Sequence, residues 1–405
     1  MNEHKIVKIT DLGTVNRGKS KHRPRNDSIL YGGEYPFIQT GDVKKANLHL
    51  VDYTQTYNDV GLKQSKLWKK GTLCFTIAAN IADSAILGMD ACFPDSIVGF
   101  LPYENVSDTT YVKYLFDELK LYFQQISKGT TQDNLSLDKI CRVKLRVPDY
   151  DTQVKVASIL STYDTAIENN NKRIRLLEQM AENLYKEWFV RFRFPGYENE
   201  SFIEGIPSSW RYVQLGDIAS FDRGISYSSD EINCDDGINL INLKNIQSYG
   251  GFRRDGTKQY NGKYKDSQIV AVGDLILGVT DMTQDRRTVG SVALIPQISG
   301  TSAISADLVK VNLKVPNVFF YCMCRYGFYS KFFSQFANGA NVLHLKPKVL
   351  LNKKILLPTA ELIEAFVEKV QPMIDIVDDL NCQNDLLIKQ RDMLLPRLMS
   401  GKLEV

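Results

Sequence analysis

The most regular pattern of hydrophobic and polar residues in this chain is a stripe that occurs twice. From residue 152 to about 190, apolar side chains recur at steps of three and four, the spacing of one face of a long α-helix. A second stripe with the same spacing lies near the C-terminus. The seam positions are Leu160, Ile167, Ile174, Leu177, Leu184 and Trp188 in the first stripe and Val377, Leu387 and Leu394 in the second. Because each stripe needs an apolar partner, we predict two long helices that pack antiparallel as a coiled coil.

Polar residues interrupt both stripes, with Asn170 in the first and Asn384 and Arg391 in the second. A buried asparagine lowers the stability of a coiled coil but fixes its register, so Asn170 predicts one defined pairing. An ordinary bundle helix with a solvated asparagine is the alternative. Pro396 predicts that the second helix kinks or ends there, because proline lacks a backbone N–H and clashes with the preceding turn.

Outside the two stripes, short apolar runs bounded by glycine, proline and asparagine predict strands. The clearest predicted strands are residues 35–43, 71–80, 238–246 and 273–281. A short helix is predicted after each group of strands, at residues 111–126 and 317–336, and Pro148 and Pro358 then end the two segments at matching places.

These segments are two copies of one module. The run VKITDLGTVNRG at residues 7–18 returns as VQLGDIASFDRG at 213–224, and KGTTQDNLSLDKICRVKLRVP at 128–148 is echoed at 338–358. A unit that occurs twice is not a solenoid array, which normally needs three or more repeats, and it suits a target with two related halves.

We therefore predict an α+β protein in which two similar mixed α/β modules are separated by the two long helices in a pseudo-twofold arrangement. The predicted segments are a first module at 1–150, a central helix at 151–194, a second module at 195–358 that includes a linker at 191–210, and a C-terminal helix at 359–405.

Composition narrows the class of protein. With 405 residues, 43% of them hydrophobic and 24% charged, the chain is typical of a globular protein with several compact units. No apolar run approaches the roughly 18 residues of a membrane helix, and MNEHKIVKIT lacks a signal region, so we expect a soluble, cytoplasmic protein. Seven scattered cysteines and four isolated histidines argue against a disulfide framework and a zinc site. Since the net charge is only +3, any binding to nucleic acid must come from local patches.

The strongest local patch is a basic turn at residues 17–25. Its cations are Arg17, Lys19, Lys21, Arg23 and Arg25, and the second module keeps the Arg-Gly pair at Arg223. Such a turn is a candidate contact to DNA phosphates, with Gly18 allowing close backbone approach, although a solvated surface loop is the plain alternative.

The same segment, GTVNRGKS at 13–20, matches the phosphate-binding loop of nucleotide-binding enzymes. That motif works only when the loop opens a helix, and the following KHRPRNDS has no helical pattern. We therefore reject a nucleotide site.

Polar loops supply candidates for reading bases. The loop KGTTQDN at 128–134 has a counterpart, NGANVLH at 338–344, with different side chains on the same glycine frame. Two half-sites of different sequence would require such a difference, and ordinary divergence of surface loops also explains it. The remaining candidate DNA contacts are Gln39, Thr40, Lys128, Thr130, Thr131, Gln132, Asn242, Lys244, Arg286, Arg287, Asn341 and His344.

No catalytic pattern is present, since the chain lacks the adenine-methyltransferase, dinucleotide, serine-hydrolase and zinc-protease motifs. We expect a protein that binds, with no cofactor and no metal of its own.

Several of these segments together resemble the specificity subunits of type I restriction-modification systems. They are VKITDLGTVNRG, the linker FPGYE…IPSSW with VQLGDIASFDRG, the KGTTQDNLS turn, the long central helix, and a C-terminal helix ending in LPRLMSGKL. The resemblance covers essentially the whole chain. It implies two target recognition domains that read a bipartite, asymmetric sequence in double-stranded DNA, and helices that dock two methyltransferase subunits. Through these, endonuclease and translocase subunits would join, and catalysis would belong to the partners. A stand-alone two-headed DNA-binding scaffold is the alternative.

Overall fold

The computed structural model describes residues 4–128, 135–232 and 236–405. The chain folds as two compact units, which we call the first unit (Met1–Asn171 with Gln383–Val405) and the second unit (Lys172–Cys382). Each unit contains one module and one half of each long helix. The predicted segments were divided at the ends of the long helices, whereas the boundary between the compact units lies within both long helices.

The module of the first unit alternates short strands and short helices. Its strands are β1 (Lys5–Val7), β2 (Gly13–Arg17), β3 (Tyr31–Phe37), β4 (His49–Leu50), β5 (Gln55–Tyr57), β6 (Leu67–Trp68), β7 (Leu73–Thr76), β8 (Ser84–Leu87), β9 (Ala91–Cys92), β10 (Ile97–Pro102) and β11 (Leu145–Val147). Its helices are α1 (Ile9–Leu12), α2 (Thr40–Lys45), α3 (Asp59–Gln64), α4 (Thr109–Glu118), α5 (Lys120–Ser127) and α6 (Leu137–Arg142), and the long helix α7 (Tyr150–Tyr185) follows.

A π-helical turn at Lys186–Val190 ends α7 and leads into the second module. The strands there are β12 (Phe202–Ile203), β13 (Ile206–Pro207), β14 (Arg211–Gln214), β15 (Ala219–Arg223), β16 (Ile238–Ile241), β17 (Lys258–Tyr260), β18 (Ile269–Val270), β19 (Leu275–Gly278), β20 (Thr280–Asp281), β21 (Val292–Leu294), β22 (Ser302–Ile304), β23 (Leu308–Leu313), β24 (Leu343–His344) and β25 (Lys354–Leu357). The helices are α8 (Leu215–Ile218), α9 (Asn317–Tyr326), α10 (Tyr329–Ser334), α11 (Pro347–Leu351) and the long C-terminal α12 (Ala360–Met399).

The two modules have corresponding sheets, and the main sheet of the first unit has one additional edge strand, β4. A main sheet has the strand order β2-β10-β7-β8-β4 in the first unit and β15-β23-β19-β21 in the second. A second sheet has the order β5-β3-β9-β6 in one and β17-β16-β22-β18 in the other, and a two-stranded pair (β1-β11, β14-β25) joins the ends of each module. The duplication inferred from the sequence is therefore a duplication of fold.

All four predicted strands extend beyond the observed ones, and in two cases a capped turn is the reason. In the first unit β3 ends at Phe37 and α2 begins at Thr40, because the Asp42 carboxylate accepts the backbone N–H of Gln39 at 2.9 Å and caps the helix. In the second unit Asn245 caps a 3-10 turn in the same way after β16. The two predicted short helices are each split in two, at Leu119 and at Phe328.

The long helices pack antiparallel, as the heptad pattern predicts. In the first unit the Asn170 side chain donates to Asn384 at 3.0 Å, and Asn384 donates to Asn171 at 2.9 Å. In the second unit Trp188, from the end of α7, packs against Phe366 near the start of α12. Because positions rise along one helix as they fall along the other, the direction is antiparallel. Asn170 is buried and paired, which rules out the solvated alternative.

The seam residues differ in burial. Leu160, Ile167 and Trp188 are buried, whereas Ile174, Leu177, Leu184, Val377, Leu387 and Leu394 are half-buried. The helix does not end at Pro396, since α12 continues to Met399. The reason is packing, because Leu398 and Met399 are buried in the core of the first unit and hold the last turn in place.

Each module shares one hydrophobic core with its half of the helix pair. In the first unit Phe75 and Phe116 pack on Val156 and Leu160 of α7 within one cluster. In the second unit Phe189 and Phe366 pack on Phe319 of α9. Helix and module therefore fold as one body within each unit. The predicted class of α+β protein with two similar modules and long antiparallel helices is confirmed.

Candidate nucleic-acid interface

Several loops of the first unit meet at one edge of the main sheet. Strand β2 ends and β10 begins at this edge, and β7 ends beside them. Three backbone hydrogen bonds connect the loops: Gly18 N–H to the Ile97 carbonyl at 2.8 Å, Ile77 N–H to Ser96 at 3.0 Å, and Leu135 N–H to Ile77 at 2.9 Å. We call this edge the first loop edge; it comprises residues 17–25, 77–83, 93–97 and Leu135.

The second unit builds the same edge with equivalent bonds. Gly224 N–H donates to Leu308 at 3.3 Å, Val279 N–H to Asp307 at 2.9 Å, and Leu345 N–H to Val279 at 2.8 Å. This second loop edge comprises residues 223–226, 279–291, 305–308 and 338–345. The basic turn and Arg223, like Leu135 and Leu345, therefore lie at corresponding positions of two similar frames.

The basic turn of the first loop edge is held firmly by the protein around it. Lys19 N–H donates to Phe93 at 3.0 Å, and the Lys19 carbonyl accepts the Ser65 hydroxyl at 2.7 Å. Lys21 N–H donates to the Gln64 side chain at 2.6 Å. Three hydrogen bonds to neighbouring segments thus hold the backbone of this turn, while its long side chains are exposed to solvent.

The five cations of the turn fall into two groups, although all are exposed. Arg25 donates to both carboxylate oxygens of Asp95 at 2.8 and 2.9 Å, and Arg23 donates to two nearby carbonyls at 2.8 Å. Arg17, Lys19 and Lys21 form no ion pair with any residue that the structure describes. These three are the cations best able to meet an external anion.

Gly18 has a different role from the one expected. A Cβ atom there would lie 2.3 Å from the Pro94 carbonyl oxygen, and one at Gly224 would lie 2.1 Å from the Ser305 oxygen. The glycine is needed for close approach of the protein's own backbone, in both units. Residues 18–27 contain no helix, as the sequence predicted, so the loop lacks the helix that a nucleotide-binding loop requires.

The second loop edge carries its cations on a loop organised by Asp281, a residue that the sequence analysis missed. The buried Asp281 carboxylate accepts the backbone N–H groups of Thr283 at 2.9 Å, Thr288 at 2.8 Å and Val289 at 3.3 Å. Burial alone raises the pKa of Asp281, but the hydrogen bonds from Thr288 and Thr283 outweigh it and lower the pKa to about 2. An aspartate directly after a buried strand was the available sequence signal.

The loop that Asp281 holds contains Arg286 and Arg287. Arg286 is half-buried and donates to the Ser334 carbonyl at 3.0 Å, whereas Arg287 is exposed and pairs with Asp285 at 2.9 Å. Arg223 and Lys244 are exposed as well. The residues of the second loop edge carry three arginines and three aspartates (Asp281, Asp285 and Asp307), so this edge has no excess of positive charge, unlike the basic turn of the first.

Among the candidate base-reading residues, Asn242 is corrected by the structure. It is buried, its amide donates to Leu240 at 3.3 Å and Gly256 at 2.7 Å, and its carbonyl oxygen accepts Lys244 N–H at 3.0 Å. A side chain this enclosed and saturated has a local capping role and has no free group for a base. The sequence pattern placed it in a strand, whereas it begins a turn.

The other candidates stand in more open positions. Gln39 and Thr40 are half-buried at the start of α2, and the Gln39 amide donates to Gln55 at 2.6 Å. Asn341 and His344 are exposed, and β24 pairs with β20 through His344 and Thr280. Lys128 is exposed, and Thr130, Thr131 and Gln132 lie outside the described residues.

None of the helices formed by the described residues is both long and apolar enough to cross a membrane.

Comparison with known proteins identifies the fold. A family model of the type I restriction modification DNA specificity domain matches residues 1–179. The chain is 26% identical to the MjaIX specificity subunit, from a type I restriction enzyme of Methanocaldococcus jannaschii, over 99% of this chain and 93% of the relative. It is 22% identical to the HindI specificity subunit of Haemophilus influenzae over 97% and 98% of the two chains.

A crystal structure of the S subunit of a type I restriction-modification system from M. genitalium has the same fold, with a TM-score of 0.61 at 13% identity over 98% of this chain and 96% of that one. The family model covers the first module and most of α7, and the full-length relatives extend the match through the second copy. The chain is therefore similar in sequence, over nearly its whole length, to specificity subunits of type I restriction-modification systems, and it shares the fold of one of them.

Proposed function

We propose that this chain reads a bipartite, asymmetric sequence in double-stranded DNA, with one half-site at each loop edge. The observation that carries the proposal is the repeated frame: equivalent backbone hydrogen bonds join equivalent loops in both units, and each edge exposes arginine side chains. The frames are equal, whereas the loop side chains differ. Equal frames with different side chains suit two half-sites of different sequence.

Similarity to type I specificity subunits supports the proposal that the chain is a non-catalytic recognition subunit. Phosphate contacts position such a protein on DNA, and contacts to base edges specify the sequence. We assign phosphate contacts to Arg17, Lys19, Lys21, Arg23, Arg25, Arg223, Lys244, Arg286 and Arg287. We assign base contacts to Gln39, Thr40, Lys128, Thr130, Thr131 and Gln132 for one half-site and to Asn341 and His344 for the other.

The long helices carry a second function in this proposal, the docking of two methyltransferase subunits. Their outer faces expose apolar side chains at Leu176, Met180, Ile376, Leu386 and Met393, each at least 41% exposed. Apolar side chains at solvent-facing positions of a coiled coil are typical of a surface that binds another protein. Endonuclease and translocase subunits would join through the methyltransferases, in the cytoplasm where the DNA lies.

Methylome sequencing tests the proposal. A host that expresses this chain with its cognate methyltransferase should gain one new methylated motif with two unlike halves and a fixed gap. Replacing residues 1–148 by the first module of a related specificity subunit should change one half and leave the other half and the gap intact. A continuous palindromic motif, or a change in both halves, would show that the proposal is wrong.

A pull-down separates the proposal from a stand-alone DNA-binding scaffold. Co-expressed methyltransferase should co-purify with the chain, and Leu176→Asp together with Met180→Asp should weaken that association. Capture of DNA without any methyltransferase would favour the scaffold.

A further inference from the structure

One buried carboxylate in the first unit joins the module to both long helices. The side chain of Asp164, in α7, is completely buried and accepts hydrogen bonds from the Tyr114 hydroxyl of α4 and from the Arg391 guanidinium of α12. The Asp164 backbone carbonyl also accepts the Asn47 amide at 3.4 Å, and Arg391 donates to the Asn47 side chain at 3.3 Å. Four segments of the first unit therefore meet at a single polar cluster, which we call the Asp164 cluster (Asn47, Tyr114, Asp164 and Arg391).

The second unit fills the same layer with apolar side chains. Counted from Pro148 and Pro358, Ile374 occupies the position of Asp164, and Ala181 occupies that of Arg391. Ala181 is buried in the core of the second unit and Ile374 packs against that core. Both line a cleft of about 730 Å³ between the helices and the second module.

The contact between module and helix in the second unit is looser at this level. Arg325 of α9 donates to Glu178 of α7 at 2.9 Å, and 34% of the Glu178 side chain is exposed. A second contact is common to both units. Glu168 accepts the backbone N–H groups of Leu48 at 3.2 Å and His49 at 2.7 Å, and Asp378, its counterpart, accepts Gln297 N–H at 2.7 Å. The Asp164 cluster is what distinguishes the first unit.

Stability alone does not explain the cluster. A buried ion pair is often no more stabilising than apolar residues of similar volume, and the second unit shows that isoleucine and alanine fill this layer. Hydrogen bonds are directional, whereas apolar packing tolerates small rotations of the module against the helices. Such rotations would break the bonds that Tyr114 and Asn47 donate to the carboxylate and the backbone carbonyl of Asp164.

We infer that Asp164 is a positioning residue, which fixes the orientation of the first module on the helix pair and so makes the distance to the first half-site exact. The inference rests on the proposed function. Asp164 does not contact DNA; it acts through Tyr114, Asn47 and Arg391.

The chain supplies its own matched substitution. Asp164→Ile combined with Arg391→Ala copies the layer of the second unit and leaves no buried charge unpaired. Once the methylated motif is known, binding is measured on duplexes with the natural gap and with one base pair added or removed. Wild-type protein should prefer the natural gap by about tenfold or more, as for a mismatch within a site.

In the double variant we expect that preference to fall toward twofold, while affinity for a duplex carrying only the first half-site stays unchanged. Tyr114→Phe, which removes one donor and keeps the ring, should give an intermediate loss. Ile374→Val in the second unit is the control and should keep the full preference. In cells, the double variant should methylate sites with more than one gap length.

An unchanged preference in a folded double variant overturns the inference. If the double variant does not fold, the gap preference of Tyr114→Phe is the test. A wild-type gap preference in Tyr114→Phe would also overturn the inference. Failure of the proposed function looks different, since wild-type protein would then give no bipartite methylated motif at all.

Discussion

The two units place different chemistry in the same layer of the helix pair. The first unit buries Asp164 with Arg391, whereas the second buries Ala181 beside Ile374 and leaves a cleft. Around this layer the strand order, the loop frames and the acidic residues Glu168 and Asp378 correspond. The duplication thus preserved backbone geometry and allowed the side chains that link module to helix to diverge.

The largest expected effect comes from replacing Asp164 in the first unit, and Ile374 in the second, by alanine. Asp164→Ala removes the buried acceptor of the Tyr114 hydroxyl and leaves Arg391 with Asp392 and Asn47 as partners, and we expect the free energy of unfolding of the first unit to fall by about 3 kcal/mol. Ile374→Ala removes a half-buried side chain at the edge of a cleft, so the second unit should lose only about 1–2 kcal/mol.

Hydrogen exchange in urea measures the two units separately, which matters because a chain of two units need not unfold in one step. Exchange in the second unit is the control for Asp164→Ala, and exchange in the first is the control for Ile374→Ala. An equal loss for the two variants would contradict the difference between the layers.

The next effect concerns Asp281, which organises the second loop edge. Its pKa is about 2 in the folded protein, below the value near 3.9 of an unfolded aspartate, so its contribution is present above about pH 4 and is lost as the pH falls toward 2. The shift corresponds to roughly 2 kcal/mol. Asp281→Asn should remove this acid sensitivity and expose the Thr288 and Val289 amides to exchange at neutral pH.

DNA binding supplies the control for that variant. Asp281→Asn should weaken binding to the second half-site and leave binding to the first unchanged, because the loop it holds lies in the second unit. Equal weakening of both half-sites would mean that the Asp281 loop is not a local element.

The basic turn gives a prediction of intermediate size. Replacing Lys19 and Lys21 by alanine should weaken binding to every duplex and lower the slope of log K against log salt by ~0.9 for each phosphate that the protein no longer neutralises. Arg25→Ala is the comparison, and its smaller expected effect follows from the Asp95 partner that already neutralises Arg25. Tight ATP binding that Lys19→Ala abolishes would restore the rejected nucleotide site.

The smallest expected effect is a difference in pH dependence between the contact made by Glu168 and the contact made by Asp378. The hydrogen bond that the His49 ring donates to the Glu168 carboxylate raises the pKa of His49, so the stabilisation from that pair is present below about pH 6.5 and is lost as the pH rises through the higher folded value. Since 42% of the His49 side chain is exposed, His49→Gln should cost less than about 1 kcal/mol, and only at low pH.

In the second unit the equivalent partner of Asp378 is Arg254, at 2.9 Å, which stays charged throughout this range. Stability measured from pH 5 to 8 should therefore change in the first unit and stay level in the second. Loss of the pH dependence in Glu168→Gln checks that Glu168 is the partner responsible.

Much of the architecture was predictable from the sequence because it is written in short or periodic patterns. The heptad stripes predicted two long helices, and Asn170 with Asn384 marked their contact, since polar residues at apolar positions need partners. The repeated Arg-Gly turn located the loop edges. The strand and helix limits were less accurate, because capping by Asp42 and Asn245 depends on single side chains.

The sequence by itself determined the duplicated modules, the two long helices and the basic turn, because a local repeat or a period of three to four residues specifies each of them. Tertiary structure alone decided that Asn242 is buried, that Gly18 faces the backbone of Pro94, and that each unit shares both helices. It also decided that Arg391 pairs with Asp164, more than 200 positions away. Such contacts depend on how distant elements pack in space, and no window of the sequence contains both partners.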